Sequence, residues 1–196
     1  MVTHDEAAFA AAALADVNAV SAAGDPVPEV KALGTEPDPY DVARQIVLRQ
    51  LAMFPRSRAE LLQKLAQRGC TPDVVGAVLD RMTQVGLVDD EAYAHMLVRS
   101  QQAGRGLAKR ALARELRTKG IEGELADRAL SSVSDEDERD RARALVDKKL
   151  RAMHGLGIKV QTRRLAGMLA RKGYSSSLTY AVIREAIADA PEHLSD

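Results

Sequence analysis

A 20-residue segment occurs three times in this chain and aligns without gaps on a glycine. The glycines Gly69, Gly120 and Gly173 are spaced 51 and 53 residues apart. Leucines stand eight and four residues before each glycine: Leu61 and Leu65, Leu112 and Leu116, and Leu165 and Leu169. Because leucines at i and i+4 share one helical face and glycine is typical of a helix C-cap, each segment predicts a helix that ends at its glycine. The repeat therefore predicts an array of equivalent units.

Each unit is predicted to hold three helices. Apolar pairs nine and ten residues after the glycines indicate that a further helix follows: Val78-Leu79, Ala129-Leu130 and Val182-Ile183. Earlier helices are predicted over 42–53, 91–103 and 136–152. Ser57-x-x-Glu60 has the form of a capping box, and Thr71-Pro72 has that of an N-cap followed by proline at the first helical position.

The predicted fold class is all-α. We expect three tandem three-helix, helix-turn-helix-like repeats over 41–88, 89–134 and 135–190, arranged as an elongated array. Aromatic residues make up 3% of the chain and charged residues 29%, and no strand-length window alternates, which agrees with helices throughout. Units this small bury little core alone, so neighbours are expected to pack on one another. Residues 1–40, rich in alanine and then in Pro, Gly, Asp and Glu, are predicted to be a disordered tail, and 191–196 a short C-terminal tail.

The formal net charge of +0 hides a segregation of charge. Residues 1–41 contain eight acidic residues and one lysine, which leaves a net charge of +7 on residues 42–196. An acidic tail on a basic body favours a polyanionic partner. The chain has one cysteine, an acidic N-terminus unlike a signal peptide, and no apolar run near the ~18 residues of a membrane span. These features predict a cytoplasmic protein without disulfides or a membrane segment.

Acidic residues cluster where one predicted unit meets the next. Asp89, Asp90 and Glu91 follow the apolar run 85–88, and a similar acidic run covers 134–138. Paired carboxylates are used by hydrolases and metal sites, but they also satisfy free amides and complement the dipole in the first turn of a helix. Since both clusters coincide with predicted helix starts, we interpret them as caps at the junctions between units.

No constellation of residues indicates catalysis. His4, His95, His154 and His193 are scattered without a second ligand at metal spacing. Cys70 occupies the position of Ile121 and Tyr174 in the other units, which predicts a packing role. The glycine pairs around Arg105 and Leu156 follow no strand, and no phosphate-binding glycine loop is present. The sequence therefore predicts no enzyme activity, no metal and no cofactor.

Basic residues recur in the turn before the second helix of each unit and along that helix. The residue before each repeat glycine is always a base, which a helix dipole alone would explain. The bases at the turns are not explained in this way, and we expect them to contact a phosphate backbone or an acidic protein surface. The candidate binding residues are Arg56, Arg58, Arg99, Arg105, Lys109, Arg110, Arg114, Arg117, Lys119, Lys159, Arg163 and Arg164. The third helices lack the Arg, Asn and Gln clusters that read base edges, which argues against major-groove recognition.

The chain from about residue 43 to 190 resembles the RecX family, bacterial regulators of the RecA recombinase. The resemblance depends on three stretches: SRAELLQKLAQRG, GLVDDEAYAHMLVRS and GRGLAKRALARELRTKGI. It implies three tandem three-helix units in a curved body that lies in the groove of the RecA–DNA filament. The tail over 1–40 falls outside the family's common core, and the third unit departs further through a long turn, MHGLGIKVQTRR.

The resemblance also implies a function. It implies binding to RecA and to RecA–DNA filaments and inhibition of ATP hydrolysis, strand exchange and repressor co-cleavage, with effects on recombination, DNA repair and the SOS response. On this hypothesis the protein is a monomer that contacts the DNA phosphate backbone weakly and without sequence preference. The alternative is a general DNA-binding or transcriptional protein built from the same helical units.

Overall fold

The computed structural model describes residues 37–190, and within them it contains nine α-helices and no strand. The predicted all-α class is therefore confirmed. The helices are α1 (Pro39–Met53), α2 (Arg58–Gln67), α3 (Pro72–Gln84), α4 (Asp90–Arg105), α5 (Lys109–Thr118), α6 (Gly123–Ser131), α7 (Asp135–Leu150), α8 (Ile158–Arg171) and α9 (Ser176–Ala188), with a short 3-10 turn (Arg151–Met153) after α7. Of the tail predicted for 1–40, residues 1–36 lie outside the described residues, and so does the tail predicted for 191–196, whereas Pro39 and Tyr40 already belong to α1.

The helices pack in consecutive threes, and each three encloses its own apolar cluster. We name these groups repeat 1 (α1–α3), repeat 2 (α4–α6) and repeat 3 (α7–α9). The predicted leucine pairs lie at the centres of the three clusters, where each leucine is at most 1% exposed: Leu61, Leu65, Leu112, Leu116, Leu165 and Leu169. Cys70 is half-buried against the first cluster, which confirms its packing role.

The second helix of every repeat ends as the sequence predicts. Gly69, Gly120 and Gly173 have φ angles of +79°, +72° and +90°, in the left-handed region that glycine adopts without strain. The residue after each glycine donates its backbone N–H to the carbonyl of the inner leucine, as in Cys70 to Leu65 at 3.2 Å. This pattern closes the last turn of the helix and redirects the chain towards the third helix.

Helix starts follow their caps. The predicted capping box opens α2, where the Ser57 hydroxyl accepts from the Glu60 amide and the Glu60 carboxylate accepts from the Ser57 amide, both at 3.2 Å. Thr71 and Pro72 begin α3 as predicted, although the Thr71 side chain makes no capping bond. α1 begins at Pro39, three residues before the predicted start, because Asp38 caps the Tyr40 amide at 3.0 Å and proline suits the first turn.

Two predicted turns are wrong in extent. Gly104 and Arg105 belong to the last turn of α4, and the chain leaves the helix at Gly106, whose φ is +60°. The helix can include Gly104 because glycine inside a helix costs only about 1 kcal/mol. In repeat 3 the long predicted turn is also wrong, since α8 already begins at Ile158. Lys159, Arg163 and Arg164 therefore lie on a helix and not in a loop.

Candidate functional site

The acidic cluster at the first junction caps a helix and joins two repeats. Asp89 is the N-cap of α4, and its carboxylate accepts from the Ala92 amide at 2.9 Å. The neighbouring Asp90 accepts from the Arg58 amide at 2.8 Å, across the boundary between repeats 1 and 2. The interpretation as junction caps is confirmed, and Asp90 also supplies a contact between repeats that the sequence did not reveal.

The contacts between repeats 1 and 2, which we call the first seam, centre on Glu60. Its carboxylate accepts from the Lys119 ammonium at 2.6 Å and from the Tyr93 hydroxyl at 3.1 Å. Burial raises the pKa of Glu60, but the hydrogen bonds from Lys119, the Ser57 amide and Tyr93 outweigh it and hold the pKa below its usual value. Burial and the Glu60 charge raise the pKa of Tyr93 to about 12. The Ser57 hydroxyl completes this network by donating to the Lys119 carbonyl at 2.7 Å.

The contacts between repeats 2 and 3, which we call the second seam, use mostly backbone groups. The Ala108 amide donates to the Lys172 carbonyl at 3.0 Å, and the Tyr174 hydroxyl donates to the Gly106 carbonyl at 3.1 Å. The Lys172 ammonium donates to the Arg105 carbonyl. Ala108 also packs into the apolar cluster of repeat 3, which ties the two repeats together.

The second acidic cluster lies beside the second seam. Ser134 and Asp137 form a capping box at the start of α7. Asp135 accepts from the Lys109 ammonium at 2.7 Å, and this hydrogen bond lowers the pKa of Asp135. Glu138 accepts from the Lys109 amide at 3.5 Å. Lys109 is therefore used inside the chain, and its ammonium joins repeat 2 to repeat 3.

Half of the candidate binding residues already have carboxylate partners. The ion pairs are Arg56–Glu60 (3.6 Å), Arg58–Asp80 (2.6 Å), Arg105–Glu115 (3.0 Å), Lys109–Asp135 (2.7 Å), Arg117–Glu122 (3.7 Å) and Lys119–Glu60 (2.6 Å). Two of these pairs, those of Lys109 and Lys119, cross the seams. A base held in a seam is a poor candidate for contacting another molecule, because binding would have to break that pair.

The other half have no ion-pair partner among residues 37–190, and all six are exposed: Arg99, Arg110, Arg114, Lys159, Arg163 and Arg164. Five of them lie on second helices: Arg110 and Arg114 on α5, and Lys159, Arg163 and Arg164 on α8. Arg110 and Arg163 occupy equivalent positions, on α5 and α8. The structure therefore divides the candidate residues into bases that hold the chain together and bases that remain available.

A basic groove lies on repeat 3 between the end of α7 and the outer face of α8. Its volume is about 520 Å³. Arg163 and Arg164 line it together with two bases outside the predicted set, Lys149 and Arg171, and its remaining lining residues are Ala152, Met153, Gly167 and Met168. Arg163, Gly167 and Arg171 follow an i, i+4, i+8 spacing, which would have identified this face had α8 been predicted at its full length.

Repeat 1 has the equivalent groove with different chemistry. It is smaller, about 180 Å³, and three glutamines, Gln50, Gln63 and Gln67, line it. Glu60 and Lys64 stand where repeat 3 has Arg164 and Met168, and Arg56 pairs with Glu60. The same place in the fold is thus nearly neutral in repeat 1 and strongly basic in repeat 3.

Within residues 37–190, no group of three or more His, Cys, Asp or Glu side chains is placed to hold a metal ion. No helix in this part of the chain has the length and apolar character needed to cross a membrane. Tyr93 and Tyr174 are buried, and burial raises the pKa of each to about 12. Each donates a hydrogen bond across a seam.

The fold and the distribution of bases define a class: a protein of three tandem three-helix repeats that carries exposed bases on its second helices. The comparisons with known proteins agree. Models of the first, second and third three-helix domains of RecX match residues 43–82, 89–130 and 135–183. The chain belongs to the RecX family.

Relatives and solved structures share this architecture. The chain is 48% identical over 162 residues to a protein named regulatory protein RecX from Streptomyces coelicolor, covering 81% of this chain and 86% of that protein. The protein of the same name from Thermobifida fusca is 47% identical over 148 residues, covering 76% and 80%. The crystal structure of RecX from Lactobacillus salivarius matches with a TM-score of 0.69 at 21% identity, over 76% of this chain and 97% of that one. A second crystal structure, of a regulatory protein RecX, matches with a TM-score of 0.67 at 26% identity, over 76% and 72%.

Proposed function

We propose that this protein binds RecA and RecA–DNA filaments and inhibits RecA activities: ATP hydrolysis, strand exchange and repressor co-cleavage. Through these activities it modulates recombination, DNA repair and the SOS response. Membership of the RecX family and the regulatory names of its relatives support this proposal. The observation that carries it is the recurrence of unpaired arginines on the second helices of repeats 2 and 3, because a regulator that binds a polymer needs repeated contacts of the same kind.

The proposed mechanism is binding without chemistry. Each repeat presents a second helix whose leucines face the core, so bases on the opposite flank face outward. In repeat 2 those bases are Arg110 and Arg114, which are exposed and unpaired among the described residues. Bases displayed in this way attract phosphates or acidic surfaces of a filament. We expect a monomer to act, since three repeats in one chain already provide several contacts.

The alternative, a transcriptional or general DNA-binding protein, requires third helices that are free to read bases. In repeat 1 the third-helix residue Asp80 pairs with Arg58 at 2.6 Å. In repeat 2 the third-helix residue Arg128 pairs with Glu91 and with Glu124, both at 3.2 Å. These side chains are occupied within the chain, which favours the regulatory proposal.

The test is a titration of this protein into RecA assembled on single-stranded DNA, with ATP hydrolysis as the readout. We expect the wild-type protein to lower the rate and the R110E/R114E variant to inhibit far more weakly. Arg105 and Lys109 are left unchanged, because they are already engaged in ion pairs with Glu115 and Asp135. The matched control is R44E/R49E on α1, where both arginines are exposed and unpaired among residues 37–190. Wild-type protein without effect on RecA, together with sequence-specific protection of duplex DNA, would establish the alternative.

A further inference from the structure

The three repeats present the same face of the second helix, but they differ in how far its bases are neutralised. In repeat 1, Glu60 pairs with Arg56 on this face, and glutamines line the rest of the groove. In repeat 2, Glu115 pairs with Arg105. In repeat 3 the position of Glu115 is occupied by Met168, and the position of Glu60 by Arg164. The carboxylates that neutralise this face in repeats 1 and 2 are therefore replaced in repeat 3.

The carboxylates of repeat 3 that form ion pairs do so away from this groove. Asp147 and Asp189 both bind Arg143, at 2.9 Å and 3.0 Å, and Glu185 binds Arg139 at 2.6 Å. None of these three acids lines the groove, and its four bases have no ion-pair partner among residues 37–190. Four uncompensated cations around one groove of about 520 Å³ create a strong local attraction for an anion.

The spacing of these bases suits a polymer of phosphates. Arg163 and Arg171 are eight residues apart on α8, which places them about 12 Å apart along the helix axis. That length corresponds to roughly three to four phosphates of a DNA strand. Gly167 lies midway, and an added Cβ there would meet only the Arg171 guanidinium, at 3.4 Å. The missing side chain at Gly167 therefore leaves room for the Arg171 guanidinium at the middle of this face.

The lining also limits what the groove recognises. No residue that lines it is aromatic, so bases have no surface on which to stack. The apolar side chains that line it, those of Ala152, Met153 and Met168, offer no hydrogen-bond donors to base edges. Arginines in this setting hold phosphates and carry no sequence information.

From these observations we propose that the groove formed by Lys149, Arg163, Arg164 and Arg171 binds the phosphodiester backbone of DNA without sequence preference. This inference deepens the proposed function and rests on it for its biological role, but the binding itself is independent of RecA. On this proposal repeat 3 contacts DNA, and the outer face of α5 in repeat 2 is available to contact RecA.

The experiment measures binding of full-length protein to fluorescently labelled single-stranded and duplex oligonucleotides of mixed sequence, without RecA, over a range of salt concentrations. We expect R163Q/R164Q to weaken binding on the order of tenfold at low salt. We expect it to reduce the slope of log K against log salt by about 1.4 for single strands and about 1.8 for duplex, since two phosphate contacts are lost. The variant R163K/R164K should keep most of the slope, because the charge is retained.

R44Q/R49Q changes the charge by the same amount on α1 and serves as the matched control. Equal losses from R163Q/R164Q and R44Q/R49Q would overturn the proposal in favour of general electrostatic attraction. Unchanged DNA binding by R163Q/R164Q, with weaker binding to DNA-free RecA, would show that the groove contacts protein. If wild-type protein binds DNA through the groove but does not inhibit RecA, the proposed function fails while this assignment stands. Circular dichroism and thermal unfolding verify that each variant is folded.

Discussion

The two seams hold equivalent repeats together with different chemistry. The first seam surrounds a carboxylate, Glu60, with a lysine and a tyrosine, and its contacts depend on charge. The second seam relies mainly on backbone carbonyls at Gly106 and Lys172, and its ion pair between Lys109 and Asp135 lies at an exposed edge, where charge contributes little. What they share is a close approach of a repeat glycine to an alanine: Gly120 to Ala59 in the first seam and Gly173 to Ala111 in the second. The close approach is the common element, and the polar contacts around it differ.

The largest expected effect comes from adding one methyl group at a seam glycine. In Gly173→Ala the new Cβ would lie 2.7 Å from both the Cβ and the backbone nitrogen of Ala111, so helix α5 would have to move. The left-handed backbone adds about 1–2 kcal/mol, and overpacking adds about 1–3 kcal/mol. We expect a loss of about 2–5 kcal/mol in the free energy of unfolding, measured by urea denaturation.

Gly69→Ala provides the control for this effect. Gly69 has the same left-handed backbone, at φ +79°, but no atom within 4 Å of an added Cβ. It should therefore lose only the conformational part, about 1–2 kcal/mol. In the first seam the clash of Gly120→Ala involves mainly the Ala59 methyl. Ala59→Gly itself loses some stability because it puts glycine in α2, so the comparison is made in that background, where Gly120→Ala should cost no more than Gly69→Ala does in the wild type. Equal losses for Gly69→Ala and Gly173→Ala would refute the role of close approach.

Features set by local sequence could be predicted without a structure. The C-cap glycines, the Ser57–Glu60 capping box and the N-cap Asp89 each depend on groups within a few residues, so short patterns predict them. The apolar clusters could also be predicted, because leucines at i and i+4 have one face to bury. The start of α8 was missed, since Gly157 is an N-cap without a side chain and gives no recognisable signal.

Features set by tertiary contacts could not be predicted in the same way. Lys119 and Glu60 are 59 residues apart, and nothing near either residue indicates that they pair. Such partners could not be recognised for the candidate bases of repeats 1 and 2. In repeat 3, Lys149 on α7 and Arg171 on α8 come together with Arg163 and Arg164 only through packing. A basic residue in a sequence becomes a candidate contact only once its partners in the fold are known.

An intermediate effect should separate the seams by their dependence on charge. Glu60→Gln keeps an oxygen that can accept from Tyr93 and from the Ser57 amide, but it loses the ion pairs with Lys119 and Arg56. We expect the free energy of unfolding to fall by about 1–2 kcal/mol at neutral pH, since hydrogen bonds to charged groups contribute about this much. The corresponding change in the second seam, Tyr174→Phe, removes a neutral hydrogen bond and should cost about 1 kcal/mol at any pH between 4 and 8.

The test is how the difference in free energy of unfolding between wild type and Glu60→Gln changes with pH. The pKa of Glu60 is lower in the folded protein than its usual value of 4.5, so its stabilisation is fully present above about pH 4.5. It is lost as the pH falls through the lowered pKa. Wild type and Glu60→Gln should therefore converge in stability below that range, while wild type and Tyr174→Phe should not. A gap for Glu60→Gln that stays constant from pH 7 to pH 3 would contradict the charged nature of the first seam.

The smallest expected effect distinguishes two neighbouring carboxylates of one helix start. Asp89→Ala removes the N-cap of α4, a contact within repeat 2. Asp90→Ala removes the acceptor for the Arg58 amide, a contact across the first seam. Each substitution should lower the free energy of unfolding by about 1 kcal/mol.

The test uses a variant of Arg58 that cannot donate. Arg58 is the first residue of α2, where proline is tolerated because no helical bond needs its N–H, and the preceding Ser57 is already extended at ψ 157°. Arg58→Pro therefore deletes the donor itself, and Arg58→Ala is its control. We expect Asp90→Ala to cost about 1 kcal/mol in the Arg58→Ala background and almost nothing in the Arg58→Pro background, while Asp89→Ala costs the same in both. The same cost for Asp90→Ala in both backgrounds would mean that Asp90 acts on its own helix and not on the seam.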